Sequence, residues 1–364
     1  MLLSCALFCA AVLVFTYLGY PLLAVTLARL APRPVRRAAG FPFLSVVLPA
    51  HREGRRLREK LSQLRSQKYP CGKLEIIAVL DGCAQEAEAE RLVASGLADR
   101  VICFPERRGK AAALNAGMRA AAGEVIVFTD ARQTLAPRAI AALAENFADD
   151  EVTAVTGRLV TSSPPGGPGA EGLFRRYEEG LRRAEAAWGS CAGATGALYA
   201  LRATAAAPIP EDTILDDLVI SLSAAAQGRL VYEPRATATE PPGGPHRTKR
   251  RRIRTLAGNW QIALRPLAYR SIFSRRTVLQ LLCHKGLRIV CPFFAAGLAV
   301  SLAVLWPLAT ALAAASGAAV LAAGRTFSRR GAGALSEAAE SLLFAPVAAL
   351  FGYLSGRETV VWAR

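Results

Sequence analysis

The stretch from Gly109 to Gln133, GKAAALNAGMRAAAGEVIVFTDARQ, constrains the fold of this 364-residue chain more than any other. Its pattern predicts a helix, a glycine break, a strand and then an acid. Val125–Phe128 are β-branched or aromatic without interruption, which is typical of a central parallel strand buried on both faces. Asp130 follows the carboxyl end of this strand, where open α/β sheets bind their ligands. Lys110 lies one helix earlier and is a cation available for a phosphate.

Strands and helices alternate along the chain on both sides of this stretch. Short apolar runs predict further strands at Leu44–Leu48, Leu74–Leu80, Arg100–Phe104, Val152–Val160 and Leu230–Glu233. Segments of helical character lie between or after them, at Arg55–Gln67, Gln85–Ala94, Pro137–Asn146, Glu171–Trp188 and Asp212–Ala226. This alternation predicts an α/β fold with a mostly parallel, Rossmann-like sheet and helices on both faces.

The amino-terminal stretch Met1–Ala28 contains no charged residue and exceeds the roughly 20 apolar residues that span a bilayer. Its first positive charges follow it, at Arg29 and Arg33, whereas a cleaved signal peptide carries them in front. The stretch therefore predicts a transmembrane helix with the following domain in the cytoplasm. A buried core helix is the alternative.

The carboxyl-terminal part contains two further apolar segments. Ile289 to Gly324 contains no charged residue, and Trp306-Pro307 near its middle predicts a turn between two short spans. Leu342–Leu354 is a third apolar run, which is short for a span and fits an interfacial or tilted helix. We therefore expect a multi-pass protein of a bacterial inner or plasma membrane.

The chain is strongly basic, with a net charge of +17 from 45 Lys+Arg and 28 Asp+Glu. Nucleic acid, an anionic membrane surface and an anionic substrate are the partners that such a charge favours. An aromatic content of 7% and the lack of an RNA-binding or helix-turn-helix signature argue against nucleic acid. The eight cysteines form no CxxC pair, so their spacing predicts neither a zinc site nor a disulfide framework.

Six segments, taken together and in this order, resemble the motifs of family 2 glycosyltransferases: VVLPAHREG, AVLDGC, RGKAAALNAG, VIVFTDARQ, ILDD and RRIRTLAGNWQ. The resemblance runs from about Leu44 to Gln261 and implies an inverting enzyme of GT-A fold, which is membrane-anchored in some branches of the family. It divides the chain into an amino-terminal transmembrane helix (1–30), a linker (31–43), a cytoplasmic GT-A domain (44–261), a basic juxtamembrane segment (262–288) and a carboxyl-terminal membrane region (289–364).

The resemblance implies a donor site at the ends of the first two strands. Pro49, Ala50 and Glu53 follow the first strand, where the family binds the base of a nucleotide. Asp81 resembles the residue that accepts a hydrogen bond from a uracil ring, and Lys110 resembles the basic residue beside the nucleotide. The alternatives are a strand-end capping role for Asp81 and a solvated helix lysine for Lys110.

Asp130 resembles the first acid of the family's DxD motif, which holds a divalent cation, Mg²⁺ or Mn²⁺, against the diphosphate of a nucleotide sugar. The position of the second acid is occupied by Arg132. Two hypotheses follow from this departure. A metal binds through Asp130 and the diphosphate, or the Arg132 guanidinium itself neutralises the diphosphate.

Asp216-Asp217 resembles the acidic pair at which the family places its catalytic base. Inverting transfer needs a carboxylate to remove the acceptor proton, and Asp217 is the predicted base. Asp216 is the neighbouring acid that raises the pKa of Asp217 by repulsion. The alternative is an acid pair that stabilises the amino terminus of a helix through its macrodipole.

Arg251 to Gln261 resembles the family's Q-x-x-R-W region, which closes over the diphosphate and the acceptor. Arg254 falls on the arginine of that motif, whereas Arg251 and Thr255 replace its glutamine and tryptophan. This departure argues against processive polymer synthesis. The alternative for the cations from Lys249 to Arg254 is attraction to anionic membrane lipids, at about 1 kcal/mol per residue.

The sequence therefore predicts an inverting glycosyltransferase that moves a sugar from a nucleotide-diphosphate sugar, UDP-linked, to a lipid or glycan acceptor at the membrane. A non-catalytic, nucleotide-sugar-binding scaffold of an envelope glycan complex is the second hypothesis. A basic membrane-surface adaptor without a ligand is the third. The lack of a GxxxxGK[ST] stretch argues against a P-loop NTPase.

Overall fold

The computed structural model describes residues 1–70, 72–83, 86–161, 170–241, 245–275, 277–307, 310–311 and 340–356. Most of the loop expected at Thr161–Gly169, and the apolar run beyond residue 311, lie outside these residues. All structural statements below concern the described residues.

A single eight-stranded sheet forms the centre of the described structure. Its strands are β1 (Leu44–Ala50), β2 (Leu74–Asp81), β3 (Arg100–Phe104), β4 (Val125–Thr129), β5 (Thr134–Leu135), β6 (Val152–Thr161), β7 (Leu198–Arg202) and β8 (Arg229–Glu240). Their order is β3-β2-β1-β4-β7-β6-β8-β5. β1 to β4 pair in parallel, as expected, and β6 pairs in parallel with β8.

The sheet is mixed because β7 runs antiparallel to both β4 and β6, and β5 runs antiparallel to β8. Thr129 at the end of β4 therefore faces Leu198 at the start of β7. The antiparallel pairing returns the chain to the carboxyl edge of β4, so the segment before β7 lies beside Asp130.

The helices of the described residues are α1 (Leu2–Leu30), α2 (Arg55–Arg65), α3 (Glu86–Ala94), α4 (Lys110–Ala120), α5 (Ala139–Ala144), α6 (Ala170–Trp188), α7 (Asp216–Ala225), α8 (Pro245–Leu264), α9 (Val278–Leu305) and α10 (Ala345–Leu354). The helix expected from Asp212 begins at Asp216, which makes the acid pair its first turn. The last strand extends to Glu240 because its alternating alanines, Ala236 and Ala238, are buried.

Alternating side chains of β1 supply both faces of the sheet. Val46 and Leu48 pack with Leu61 of α2 and Leu143 of α5 in one buried cluster, whereas Val47 belongs to the cluster on the opposite face. All seven residues of β1 are buried, as is typical of a central parallel strand covered by helices on both sides.

Two helices, α1 and α9, are long and apolar enough to cross a membrane by length and composition. They pack on each other, and the rings of Phe8 and Phe294 meet edge to face at 5.8 Å. The helix α9 begins at Val278, before the boundary expected at residue 289, and ends directly before Trp306-Pro307. The short apolar run forms α10, which packs on α8 and accepts a hydrogen bond of 2.9 Å from Trp260 Nε1 at Pro346 O.

Candidate active site

The turn that follows β4 carries the acid from which the site is built. The Thr129 hydroxyl donates to Ala197 O (2.9 Å) and ties the end of β4 to the segment before β7. Asp130 comes next, and its carboxylate lies 3.0 Å from Lys110 Nζ and 3.5 Å from a guanidinium nitrogen of Arg132. The strand-end acid is therefore held between two cations.

Lys110 is the first residue of α4 and follows Gly109, whose positive φ of 97° suits glycine at this sharp turn. Lys110 Nζ bridges Asp130 at 3.0 Å and Asp216 at 2.9 Å. Burial lowers the pKa of Lys110, but these two carboxylates outweigh it and raise the pKa above its ordinary value. Burial opposes ionisation of Asp130, and Lys110 and then Arg132 nevertheless lower its pKa. We call Lys110, Asp130, Arg132 and Asp216 the donor cluster.

Asp217 follows Asp216 in the first turn of α7 and is half-buried. Its pKa is raised, first by burial and second by repulsion from Asp216, which is the effect expected from the sequence. The backbone N–H of Leu218 donates to Asp217 Oδ1 at 2.9 Å. A Cβ on Gly196 would lie 3.0 Å from Asp217 Oδ2, so a glycine leaves room for this carboxylate. A carboxylate with a raised pKa is suited to accept a proton.

Asp81 holds the loop that leads to Lys110. Its carboxylate accepts the backbone N–H groups of Arg108 (2.7 Å) and Gly109 (2.9 Å), and the residue is only 2% exposed. These contacts match the capping role that the sequence left open for Asp81. Binding of a nucleotide base by Asp81 stays a prediction. His51, which sequence reasoning did not select, places Nδ1 2.6 Å from Asp81 O.

The residues expected at the end of β1 separate into two groups. Pro49 and Ala50 are buried in the strand, and Pro49 lines a small cleft together with Lys110, Asp130 and Asp216. Glu53 lies beyond the strand and pairs with Arg56 at 3.0 Å. The structure thus brings Pro49 to the donor cluster, whereas a donor contact of Glu53 stays a prediction.

The two arginines expected to close over the diphosphate lie on α8. Arg251 pairs with Glu240 at the end of β8 (2.6 Å) and is near enough to Asp130 to help lower the pKa of that acid. Arg254 Nε is buried and has no hydrogen-bond partner within the described part of the chain. Arg251 therefore approaches the donor cluster from α8. The Nε–H group of Arg254 remains available as a hydrogen-bond donor.

Sequence reasoning missed two side chains near Asp130. Lys60 Nζ donates to Gln133 O at 2.8 Å, and burial lowers the pKa of Lys60 to about 7. The ring of Tyr199 stacks on Phe128 at 4.7 Å, and the three acids nearby add to burial in raising the pKa of its hydroxyl. Lys60 lies on the same helical face of α2 as the buried residues Leu57, Leu61 and Leu64, so the helical periodicity could have predicted its burial.

The fit of a divalent cation rests on Asp130. Within the described residues, no group of three or more His, Cys, Asp or Glu side chains forms a metal site. Mg²⁺ requires oxygen ligands and commonly completes its shell with waters and substrate phosphates. The donor cluster is electrically balanced, with two cations and two carboxylates, so a diphosphate would add uncompensated negative charge. Asp130 therefore fits a divalent ion as one ligand among phosphate and water oxygens.

Comparison with known proteins identifies the class. Residues 45–204 match glycosyl transferase family 2. A Bradyrhizobium elkanii protein named N-acetylglucosaminyltransferase is 31% identical over 126 residues, which are 34% of this chain and 69% of that protein. Glycosyltransferase AglE of Haloferax volcanii is 26% identical over 132 residues, which are 36% of this chain and 43% of that protein. The chain belongs to glycosyl transferase family 2, as its motifs predicted.

The fold comparison agrees with this classification. The structure is similar to the mannosyltransferase PcManGT from Pyrobaculum calidifontis, solved in complex with GDP-Man and Mn²⁺, with a TM-score of 0.70 and 25% identity. The match covers 98% of this chain and 100% of that one. The predicted GT-A fold is confirmed, and the chain is a glycosyltransferase.

Proposed function

We propose that this protein is an inverting, membrane-bound glycosyltransferase that moves a sugar from a nucleotide-diphosphate sugar to an acceptor at the membrane face. One observation carries the proposal. Asp217, a carboxylate whose pKa is raised, lies directly beside an ion cluster at the carboxyl edge of β4. The similarity to an enzyme solved with GDP-Man and Mn²⁺ supports nucleotide-sugar binding by this chain.

The proposed mechanism uses Asp217 as the general base. The Asp217 carboxylate accepts the proton of an acceptor hydroxyl while the oxygen bonds to the anomeric carbon. The bond from that carbon to the diphosphate breaks on the opposite face, and the diphosphate leaves with the electron pair. Lys110 and Arg132 are the cluster cations that stabilise the developing charge, and Arg254 on α8 provides a further donor.

Asp130 is the residue that would hold the divalent cation, Mg²⁺ or Mn²⁺. When bound, the ion would supply positive charge to the diphosphate oxygens. Lys110 and Arg132 keep the Asp130 carboxylate ionised and hold it at the cleft. Arg132 thus takes part in neutralisation without replacing the ion, because its charge is already matched within the cluster.

The donor is proposed from two lines of reasoning. The family motifs favour a UDP-linked sugar, with Pro49, Ala50, Glu53 and Asp81 around the base. The mannosyltransferase of similar fold was solved with GDP-Man, which makes a GDP-linked sugar the second candidate. Donor choice depends on the shape of the sugar and base pocket, so direct measurement with both nucleotide classes decides it.

We propose that α1 and α9 cross the membrane and that the domain formed by residues 44–261 lies in the cytoplasm. Support comes from the length and apolar composition of both helices and from the arginines that follow α1. The two helices pack on each other, so they form one anchor rather than two separate ones. Tyr20 of α1 donates to Glu185 Oε1 of α6 at 2.6 Å and joins this anchor to the catalytic domain.

The test is a screen of UDP- and GDP-linked sugars with the full chain in detergent and a membrane lipid extract as acceptor. We expect release of one nucleotide that depends on the extract. EDTA should reduce this release, and Mg²⁺ or Mn²⁺ should restore it. In the Asp130→Asn variant, restoration should need a higher metal concentration, because the proposed protein ligand is lost.

Each failure of the screen has a distinct meaning. Full activity in EDTA would exclude the divalent ion and leave Lys110 and Arg132, with Arg254 on α8, as the counter-charge of the diphosphate. Saturable nucleotide-sugar binding with no release under any condition would favour the non-catalytic scaffold instead.

A further inference from the structure

A cavity of about 360 Å³ lies between the catalytic domain and the two apolar helices. Its walls come from α1, α6, α8 and α9 and from the segment that leads into α10. Among the described residues that line it, none belongs to the donor cluster. The cavity therefore adjoins the proposed reaction centre, and Arg251, which helps lower the pKa of Asp130, lies in its wall.

The cavity is rich in cations. Among the described residues, five basic side chains line it, against one acid, Glu178: Arg175, Arg251, Arg252, Lys285 and Arg288. Arg288 pairs with Glu178, Arg251 pairs with Glu240, and Arg175 and Arg252 also have interaction partners. Such a surplus of positive charge favours an anionic ligand.

Lys285 connects the cavity to the proposed base. No hydrogen bond or ion pair joins Lys285 to another side chain within the described part of the chain. A Cβ on Gly193 would lie 3.6 Å from Lys285 Cε, and Gly193 belongs to the segment in which Gly196 contacts Asp217. An anion on Lys285 would thus sit near the carboxylate that accepts the proton.

The remaining wall of the cavity is largely apolar. Tyr17 of α1, Phe174 of α6, Ile289 of α9 and the neighbouring Leu342 contribute to it. A ligand that fits such a lining combines an anionic group with a hydrocarbon chain.

Three π-helical segments meet at this cavity. Tyr17 belongs to Phe15–Gly19, Lys285 to Leu281–Gly286, and Leu342 to Glu340–Phe344. π-Helical turns are rare and occur frequently at functional sites. Their coincidence is a second observation, independent of charge, that the cavity is a ligand site.

We infer that this cavity binds the acceptor, and that the acceptor is an anionic lipid whose phosphate joins an apolar chain to a hydroxyl-bearing headgroup. The inference rests on the proposed function, since it names the acceptor class of that reaction. Lys285 and Arg288 bind the phosphate, and the apolar wall holds the start of the chain. A headgroup hydroxyl then reaches Asp217, loses its proton to that carboxylate, and bonds through oxygen to the anomeric carbon as the nucleotide diphosphate leaves.

The test measures lipid binding without any nucleotide, so it does not depend on turnover. The full chain in detergent is titrated with phosphatidylinositol, and binding is followed by native mass spectrometry. We expect Lys285→Gln to weaken binding about tenfold, because a charge-assisted hydrogen bond is lost. Lys285→Arg should retain most of the affinity. Arg183→Gln, an exposed arginine on α6 that lies outside the cavity, is the matched control and should bind as the parent does.

Two competitors distinguish the contribution of the phosphate to lipid binding from that of the hydrocarbon chain. An alkyl glucoside, which has a chain and hydroxyls but no phosphate, should compete poorly, and inorganic phosphate should compete poorly as well. Equal competition by the alkyl glucoside would overturn the anionic headgroup, and equal competition by inorganic phosphate would overturn the lipid. Unchanged binding in Lys285→Gln would overturn the assigned site.

Turnover distinguishes this inference from the proposed function. If lipid binding fails but donor-dependent sugar transfer to another acceptor is observed, the acceptor class alone is wrong. If lipid binding holds but no nucleotide sugar is turned over, the proposed function is wrong and the cavity is a lipid site of a non-catalytic protein.

Discussion

The donor cluster and the cavity beside α9 are both built around partly buried lysines, but they differ in charge balance. Lys110 bridges two carboxylates in the donor cluster, whereas Lys285 in the cavity has no ion-pair partner within the described residues. A balanced site admits an anion only together with a further cation, whereas a site with surplus positive charge admits an anion alone. The difference explains why a metal ion is proposed for the donor and none for the acceptor.

Asp217 lies between these two regions, and its removal should give the largest effect. Asp217→Asn removes the proposed base, so transfer should fall by about 10²–10⁴-fold while nucleotide binding stays near that of the parent. Rate constants with acceptor and the dissociation constant of the nucleotide are the two measurements. Asp212→Asn is the control, since Asp212 lies before α7, is exposed and pairs with Arg265.

Normal turnover in Asp217→Asn would show that Asp217 is not the general base. A parallel loss of nucleotide binding would show instead that the acid pair mainly supports the amino terminus of α7, which is the alternative that its position in the first turn keeps open.

The balance of the donor cluster itself is tested at Lys110. Lys110→Met leaves Asp130 and Asp216 facing each other without their shared cation, and breaking such a buried pair costs about 3–5 kcal/mol. Chemical denaturation in detergent should show this loss of stability. The double variant Lys110→Met/Asp216→Asn should recover part of it, because one of the repelling charges is gone.

The matched control for this experiment is Arg55→Met, which removes a highly exposed cation paired with Glu59 and should change stability little. If Lys110→Met is as stable as that control, the cluster is more solvated than its burial indicates. The difference in charge balance between the donor cluster and the cavity would then no longer be supported.

Sequence reasoning identified the donor cluster better than the cavity, and the reason is physical. Asp130, Lys110 and Asp216 follow local signals, since a strand end and two helix starts place them at one edge of the sheet. The antiparallel β7 had no such signal, because Leu198–Arg202 is a short apolar run that fits either direction.

The cavity could not be predicted because it depends on long-range packing. Its lining comes from α1, α6, α8, α9 and α10, which extend over most of the sequence, from Tyr17 to Pro346. Lys285 lies in a stretch whose basic residues looked only like a membrane flank. Lys249 to Arg254 illustrates the same limit. The sequence left this segment open between substrate and lipid, and the structure places Arg251 and Arg252 in the cavity lining.

The smallest effect is expected at Asp216, which tunes its neighbour. Since burial and repulsion from Asp216 raise the pKa of Asp217, the base becomes protonated at a higher pH than an ordinary aspartate would. Transfer should therefore fall as the pH decreases through this raised pKa. In Asp216→Asn the repulsion is absent, so the acidic limb of the pH–rate profile should move to lower pH, while burial keeps it above the ordinary range.

The direction of this shift discriminates between the two roles of Asp216. If Asp216 only neutralises Lys110, the variant would weaken the donor cluster and raise the donor KM, but the acidic limb would stay where it is. If the limb moves to lower pH, Asp216 raises the pKa of the Asp217 base. The charges of the donor cluster then influence the residue that lies between the cluster and the cavity. Profiles of kcat, measured at saturating donor over the acidic range, resolve the two outcomes because they report groups in the bound complex.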